Sequence, residues 1–107
     1  MSRKEEQMLE LIRSRAQEVI PPGARVFLYG SRARGDNRAD SDWDILILVE
    51  KPRAEHSDYD EFSFPLTLLG WEHGESVIPV IYGREEWSNP SSLLFRRNVE
   101  QDAIALI

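Results

Sequence analysis

Two short β-favouring runs, Arg25–Tyr29 (R-V-F-L-Y) and Trp43–Val49 (W-D-I-L-I-L-V), flank a polar, turn-rich stretch at residues 31–41. Runs this apolar read as buried strands, and each needs a neighbour on both sides of its ladder or a helix over its face. The first run stops at Gly30, with room for one short helix opening at Ser31. The second starts after Asp42 and is closed by Pro52.

The rest of the chain supplies that cover. Ser2-Arg3-Lys4-Glu5 has the S-x-x-E form of a capping box. Met8, Ile12, Ala16 and Val19 follow at helical steps, with Leu9 and Leu11 alongside, until Pro21-Pro22-Gly23 stops the helix. Phe62, Leu66 and Leu69 keep a helical spacing within residues 54–74, but Pro65 predicts an irregular start or a kink. Val77–Tyr82 (V-I-P-V-I-Y) reads as a third strand. Its Pro79 removes a ladder donor and predicts an edge or bulged position. Asn89-Pro90 places a cap and a first-turn proline before a last helix over residues 91–100, and residues 103–107 form an apolar tail able to add a short strand. The order α-β-(short α)-β-α-β-α predicts an α/β (α+β) fold: a small mixed sheet with helices mainly on one face.

The chain has 107 residues and no cysteine. That length predicts one core and one domain over residues 1–107. Disulfides and thiolate metal sites are excluded, and a cytoplasmic setting is the expectation. No apolar run approaches the ~20 residues that span a bilayer, so no membrane contact is expected. The 19 acids and 13 bases give a net charge of −6. That balance argues against general nucleic-acid binding, which calls for a basic surface.

Eleven of the bases are arginine, and Arg25, Arg32, Arg34 and Arg38 crowd the window that also holds Asp36, Asp40, Asp42 and Asp44. Side chains alternate along a strand, so Asp42 and Asp44 point to one face, roughly 6–7 Å apart at Cα. Taken alone, the two acids fit a hydrated strand mouth as well as a Mg²⁺ site. The turn before them favours the second reading. Gly30 permits close backbone approach, Ser31 offers an N–H and a hydroxyl, and Arg32 and Arg34 add positive charge, a set suited to holding phosphate. Other motifs fail. Gly30 to Gly35 fits half a P-loop, but Asp36-Asn37 stands where Lys-Ser/Thr is needed. An EF-hand begun at Asp40 demands Gly at Ile45 and Glu at Lys51. His56 and His73 share no spacing that suggests zinc.

Gly30-Ser31, ten intervening residues and Asp42-Trp43-Asp44 resemble the G-S-x₁₀-D-x-D signature of the DNA polymerase β-like nucleotidyltransferase superfamily. The run G-S-R-A-R-G-D…S-D-W-D is similar to its minimal prokaryotic members. The resemblance implies that fold, with Gly30 and Ser31 on the β/γ-phosphates, Asp42 and Asp44 on two Mg²⁺ ions, and Arg32 and Arg34 near the phosphates. It implies transfer of a nucleoside monophosphate, AMP from ATP, to an acceptor hydroxyl with release of pyrophosphate. The superfamily often adds a third carboxylate from the next long strand. Here that strand is V-I-P-V-I-Y, and Glu75 just before it is the nearest stand-in, with Glu50 and Glu61 further choices.

A chain this small resembles the antitoxin half of pairs whose toxin is a helical ribonuclease of the HEPN type, which implies a tyrosine on that toxin as acceptor. Two other outcomes fit the same residues. One is a binding module with a vestigial nucleotide site. The other is a small-molecule nucleotidyltransferase that completes its acceptor site by forming a homo-oligomer.

Overall fold

The computed structural model describes residues 1–107. Helix α1 (Arg3–Val19) starts at the expected capping box: the Ser2 hydroxyl accepts from the Glu5 N–H, and the Glu5 carboxylate accepts from the Ser2 N–H, both at 3.1 Å. Strand β1 (Arg25–Tyr29), the single turn α2 (Ser31–Arg34) and strand β2 (Trp43–Leu48) follow. Residues 56–72 then form one interrupted helix: α3 (His56–Asp58), a π-helical stretch at Tyr59–Ser63, and α4 (Phe64–Glu72). The interruption has a local cause. Pro65 has no N–H for the preceding turn, and the wider π ring, in which the Phe64 N–H reaches the Tyr59 carbonyl, absorbs the mismatch.

Strand β3 (Val77–Tyr82) leads to α5 (Arg84–Ser88), which the sequence reading did not anticipate. Its start is held by the Glu86 carboxylate, which accepts from the Gly83 N–H at 2.9 Å and from the Ala54 N–H at 2.7 Å. A 3₁₀ turn at Pro90–Ser92, capped by the Asn89 side chain on the Ser91 N–H, introduces α6 (Leu93–Asp102), so the last α-helix begins two residues later than expected. The apolar tail contributes β4 (Ile104–Ala105).

The sheet order is β3-β2-β1-β4. Strand β1 runs antiparallel to β2 and β4, and β2 runs parallel to β3, so the sheet is mixed as expected. β3 occupies an edge, where a missing Pro79 donor is tolerated.

Alternation along the strands sorts the two faces. Val26, Leu28, Trp43, Ile45, Ile47, Val77 and Ile81 join Met8, Ile12 and Ala16 of α1 and Leu66 and Leu69 of α4 in one buried cluster. Phe27, Leu46 and Leu48 point the other way, towards Trp87, Val99 and Ala103. That second face is covered by α6 and by Trp87 of α5. Asp44 stands on it beside Tyr29, its partner across the ladder, against which Phe95 of α6 packs edge-on at 5.5 Å between ring centroids.

Candidate active site

Gly30 joins β1 to α2 in a conformation, φ 78° and ψ −160°, that side chains rarely permit. A Cβ here would run into the Asp44 carboxylate, whose Oδ2 occupies the space beside the Gly30 Cα. The register explains the proximity: Tyr29 pairs directly with Asp44 across the antiparallel ladder. The Gly30 carbonyl accepts from the N–H groups of Ala33 and Arg34, both at 3.1 Å. The N–H groups of Ser31 and Arg32 donate to no protein group, which leaves two backbone donors at the opening of α2.

Asp44 is half-buried on the central strand, and Asp42 is exposed at its mouth. Burial pushes the Asp44 carboxyl above its usual range. The neighbouring Asp42 charge pushes the same way, and Arg34 opposes both. Burial, then Asp44 and Tyr82, drive the Tyr29 hydroxyl up to about 12. Two hard oxygen donors that repel each other beside free backbone N–H groups fit a Mg²⁺ ion, which takes one or two carboxylates and completes its shell with water and phosphate.

The two arginines part company. Arg34 is exposed, bonded to Asp36 at 3.1 Å and Asp102 at 3.0 Å, and close enough to Asp44 to act on its charge. Arg32 is 2% exposed, and the expectation that it faces phosphate is corrected by its place. Its guanidinium lies 4.4 Å over the Trp43 ring, donates to the carbonyls of Ser41 (2.7 Å) and Ala39 (3.2 Å), and pairs with Glu5 at 3.2 Å. Arg32 therefore ties the opening of α2 to the backbone immediately before Asp42. Sequence alone showed neither this tie nor the second duty of Glu5. Glu5 also accepts from Asn37, and its pKa is lowered to about 2, first by the Ser2 N–H and hydroxyl and further by Asn37 and Arg32.

The chain matches the nucleotidyltransferase domain family over residues 6–102. It belongs to that family. The match takes in the Gly30-Ser31 turn, both aspartates and the whole sheet except the last two-residue strand. No curated protein matches at the level of sequence. A crystal structure of a toxin–antitoxin with AMP-PNP contains a chain of similar fold, with a TM-score of 0.66 and 20% identity, covering 92% of this chain and 72% of that one.

The nucleotidyltransferase departs from the family pattern at the third acid. No group of three or more His, Asp or Glu side chains is arranged to hold a metal. Glu75 is corrected as a stand-in: its carboxylate lies 3.8 Å from Arg32, on the side of the sheet that holds Trp43, whereas alternation points Asp44 to the opposite side. Glu50 lies at the far end of β2 against the Gly23 turn, and Glu61 acts on Lys51 at that same end. On the parallel neighbour the residue level with Asp44 is Ile78, 43% exposed. His56 is almost fully exposed and His73 is exposed.

Proposed function

We propose that this nucleotidyltransferase moves AMP from ATP to a hydroxyl of a protein partner, a tyrosine of a HEPN-type toxin, in the cytoplasm. The observation that carries the reading is the contact between Gly30 and Asp44. It sets a turn with free backbone donors directly against the paired acids.

In this reading the Ser31 and Arg32 N–H groups and the Ser31 hydroxyl hold the terminal phosphates, and Arg34 turns from Asp36 to neutralise them. Asp42 and Asp44 hold Mg²⁺, which supplies charge stabilisation for phosphate oxygens when bound. The acceptor oxygen attacks the α-phosphorus, the bond to the bridging oxygen of pyrophosphate breaks, and pyrophosphate leaves. With no third carboxylate, the hydroxyl proton passes to water or to a partner side chain. A toxin–antitoxin crystallised with AMP-PNP shares the fold, which supports both a nucleotide and a protein partner.

Ile78 beside Asp44 favours a second reading, a module that binds its partner while its nucleotide site is vestigial. Incubation with labelled ATP and Mg²⁺, with and without the product of the adjacent gene, separates the readings. Label on a partner tyrosine supports transfer. Tight binding without label supports the module, and label on a metabolite supports a small-molecule enzyme.

A further inference from the structure

Helix α4 carries apolar residues on its outer side as well as its inner one. Leu66 and Leu69 are buried in the core, yet Phe64, Leu68 and Trp71 are 50%, 39% and 63% exposed. Their spacing of four and three residues lines them up along one side of the helix. The Phe64 and Trp71 rings meet edge-on at 6.2 Å between centroids. A helix apolar all round is ordinarily covered on all sides, and here one side lies open.

The surrounding charge says what covers it. Between Arg53 and Arg84 there is no Lys or Arg, while six acids occur. Asp60 and Glu61 stand exposed at the upstream end of the stripe, and Glu72 at the downstream end. Two cations reach this rim from outside the segment. Arg15 of α1 lies 3.9 Å from Glu72 and donates to the Pro65 carbonyl at 3.3 Å. Lys51, near Glu61, is paired with Asp58 at 2.7 Å, so Asp60 and Glu61 leave the upstream end acidic. A second copy would bring the same acids against these and repel.

We propose that the Phe64–Leu68–Trp71 stripe is a docking surface for a protein whose apolar helix face is flanked by Lys and Arg. A straight apolar ridge on one helix seats in the groove of another. The exposed Trp71 is the type of residue that dominates such contacts. This deepens the protein-partner part of the proposed function. It involves neither nucleotide nor transfer, and the stripe belongs to α4, which packs with α1 on the face of the sheet opposite Asp44.

The test uses a fluorescently labelled, leucine–lysine amphipathic helical peptide, titrated by anisotropy into the full chain without nucleotide. Binding to the unaltered protein is expected, with a blue shift of tryptophan emission. Leu68→Asp should weaken it roughly tenfold or more, although that change adds negative charge. Trp71→Ala should do the same, and circular dichroism confirms that both variants fold. A leucine–glutamate peptide should not bind. Equal or tighter binding to Leu68→Asp would overturn the proposal, since charge alone would then explain the contact. So would a concentration-dependent dimer, read by sedimentation, that Leu68→Asp abolishes. Because ATP is absent, failure here leaves the transfer reading untouched, and failure of the labelling assay leaves this surface untouched.

Discussion

Oδ2 of Asp44 occupies the space that a Cβ on Gly30 would need. Glycine at this turn is therefore what lets the Asp44 carboxylate sit where it does on β2. Gly30→Val should cost about 1–3 kcal/mol for the forced positive φ alone, and displace Asp44 besides. Both thermal stability and the melting shift produced by Mg²⁺ with ATP should fall together. A variant that melts lower yet retains the full Mg²⁺–ATP shift would reduce Gly30 to a turn residue.

Replacing the acids should separate binding from folding. Asp44→Asn and Asp42→Asn are expected to abolish the joint Mg²⁺–ATP shift, because the phosphates complete a shell that the acids begin. Without ligand, Asp44→Asn should melt above the unaltered protein at neutral pH. Burial and then Asp42 raise the Asp44 pKa, so its charged form opposes folding. That difference should narrow as pH falls below the ordinary carboxylate value, where Asp44 is protonated in both states. Differential scanning calorimetry across pH reads both effects.

Arg32 and Glu75 offer a contrast of position against chemistry. Arg32→Ala removes the cation between Glu5 and Glu75 and the tie to Ser41, and should cost about 3 kcal/mol, the low end for breaking a buried pair. Arg32→Lys should not restore it, since one ammonium cannot serve both carbonyls and both acids. Glu75→Gln should change stability modestly and leave the transfer rate within a few-fold. A loss of about 10²–10⁴-fold, the scale of a general base, would instead return Glu75 to the reaction.

Acid sensitivity should report on Glu5. Its folded pKa near 2, against an ordinary 4.5, means that its stabilising contribution is complete above about pH 4.5 and is lost as pH falls through 2. Glu5→Gln should flatten that part of the stability–pH curve while lowering the melting temperature at neutral pH. A parallel displacement with unchanged acid dependence would assign the effect to other carboxylates.

Ile78 is the position at which to build what the site lacks. Ile78→Asp places a carboxylate level with Asp44 on the parallel strand, and its exposure allows the change without opening the core. Mg²⁺ affinity in the presence of ATP should rise. Transfer should increase by up to about 10²-fold, the lower range for an added general base. Steady-state labelling with and without the substitution checks this, and a drop in nucleotide binding would show that the isoleucine itself contacts substrate.

Local chemistry made much of this protein legible as a sequence. The Ser2–Glu5 box and the apolar runs at Arg25–Tyr29 and Val77–Tyr82 act through neighbours a few residues away, and the Gly30-Ser31 turn and the Asp42–Asp44 pair stand at a fixed separation along the chain. Such contacts are written into spacing. The interruption ahead of Pro65 was legible for the same reason, since a missing N–H acts on its own turn. The partners of Arg32 were not. Whether a guanidinium in a polar loop meets phosphate or a tryptophan ring depends on which side of β2 it reaches. That is set by the packing of α1, 27 residues upstream at Glu5, against the sheet. Glu75 was misplaced by the same blindness: it is close in sequence to the strand beside Asp44, and pleating puts it on the other face. The open side of α4 was equally hidden, because its apolar residues share one composition and only the fold divides them between core and solvent.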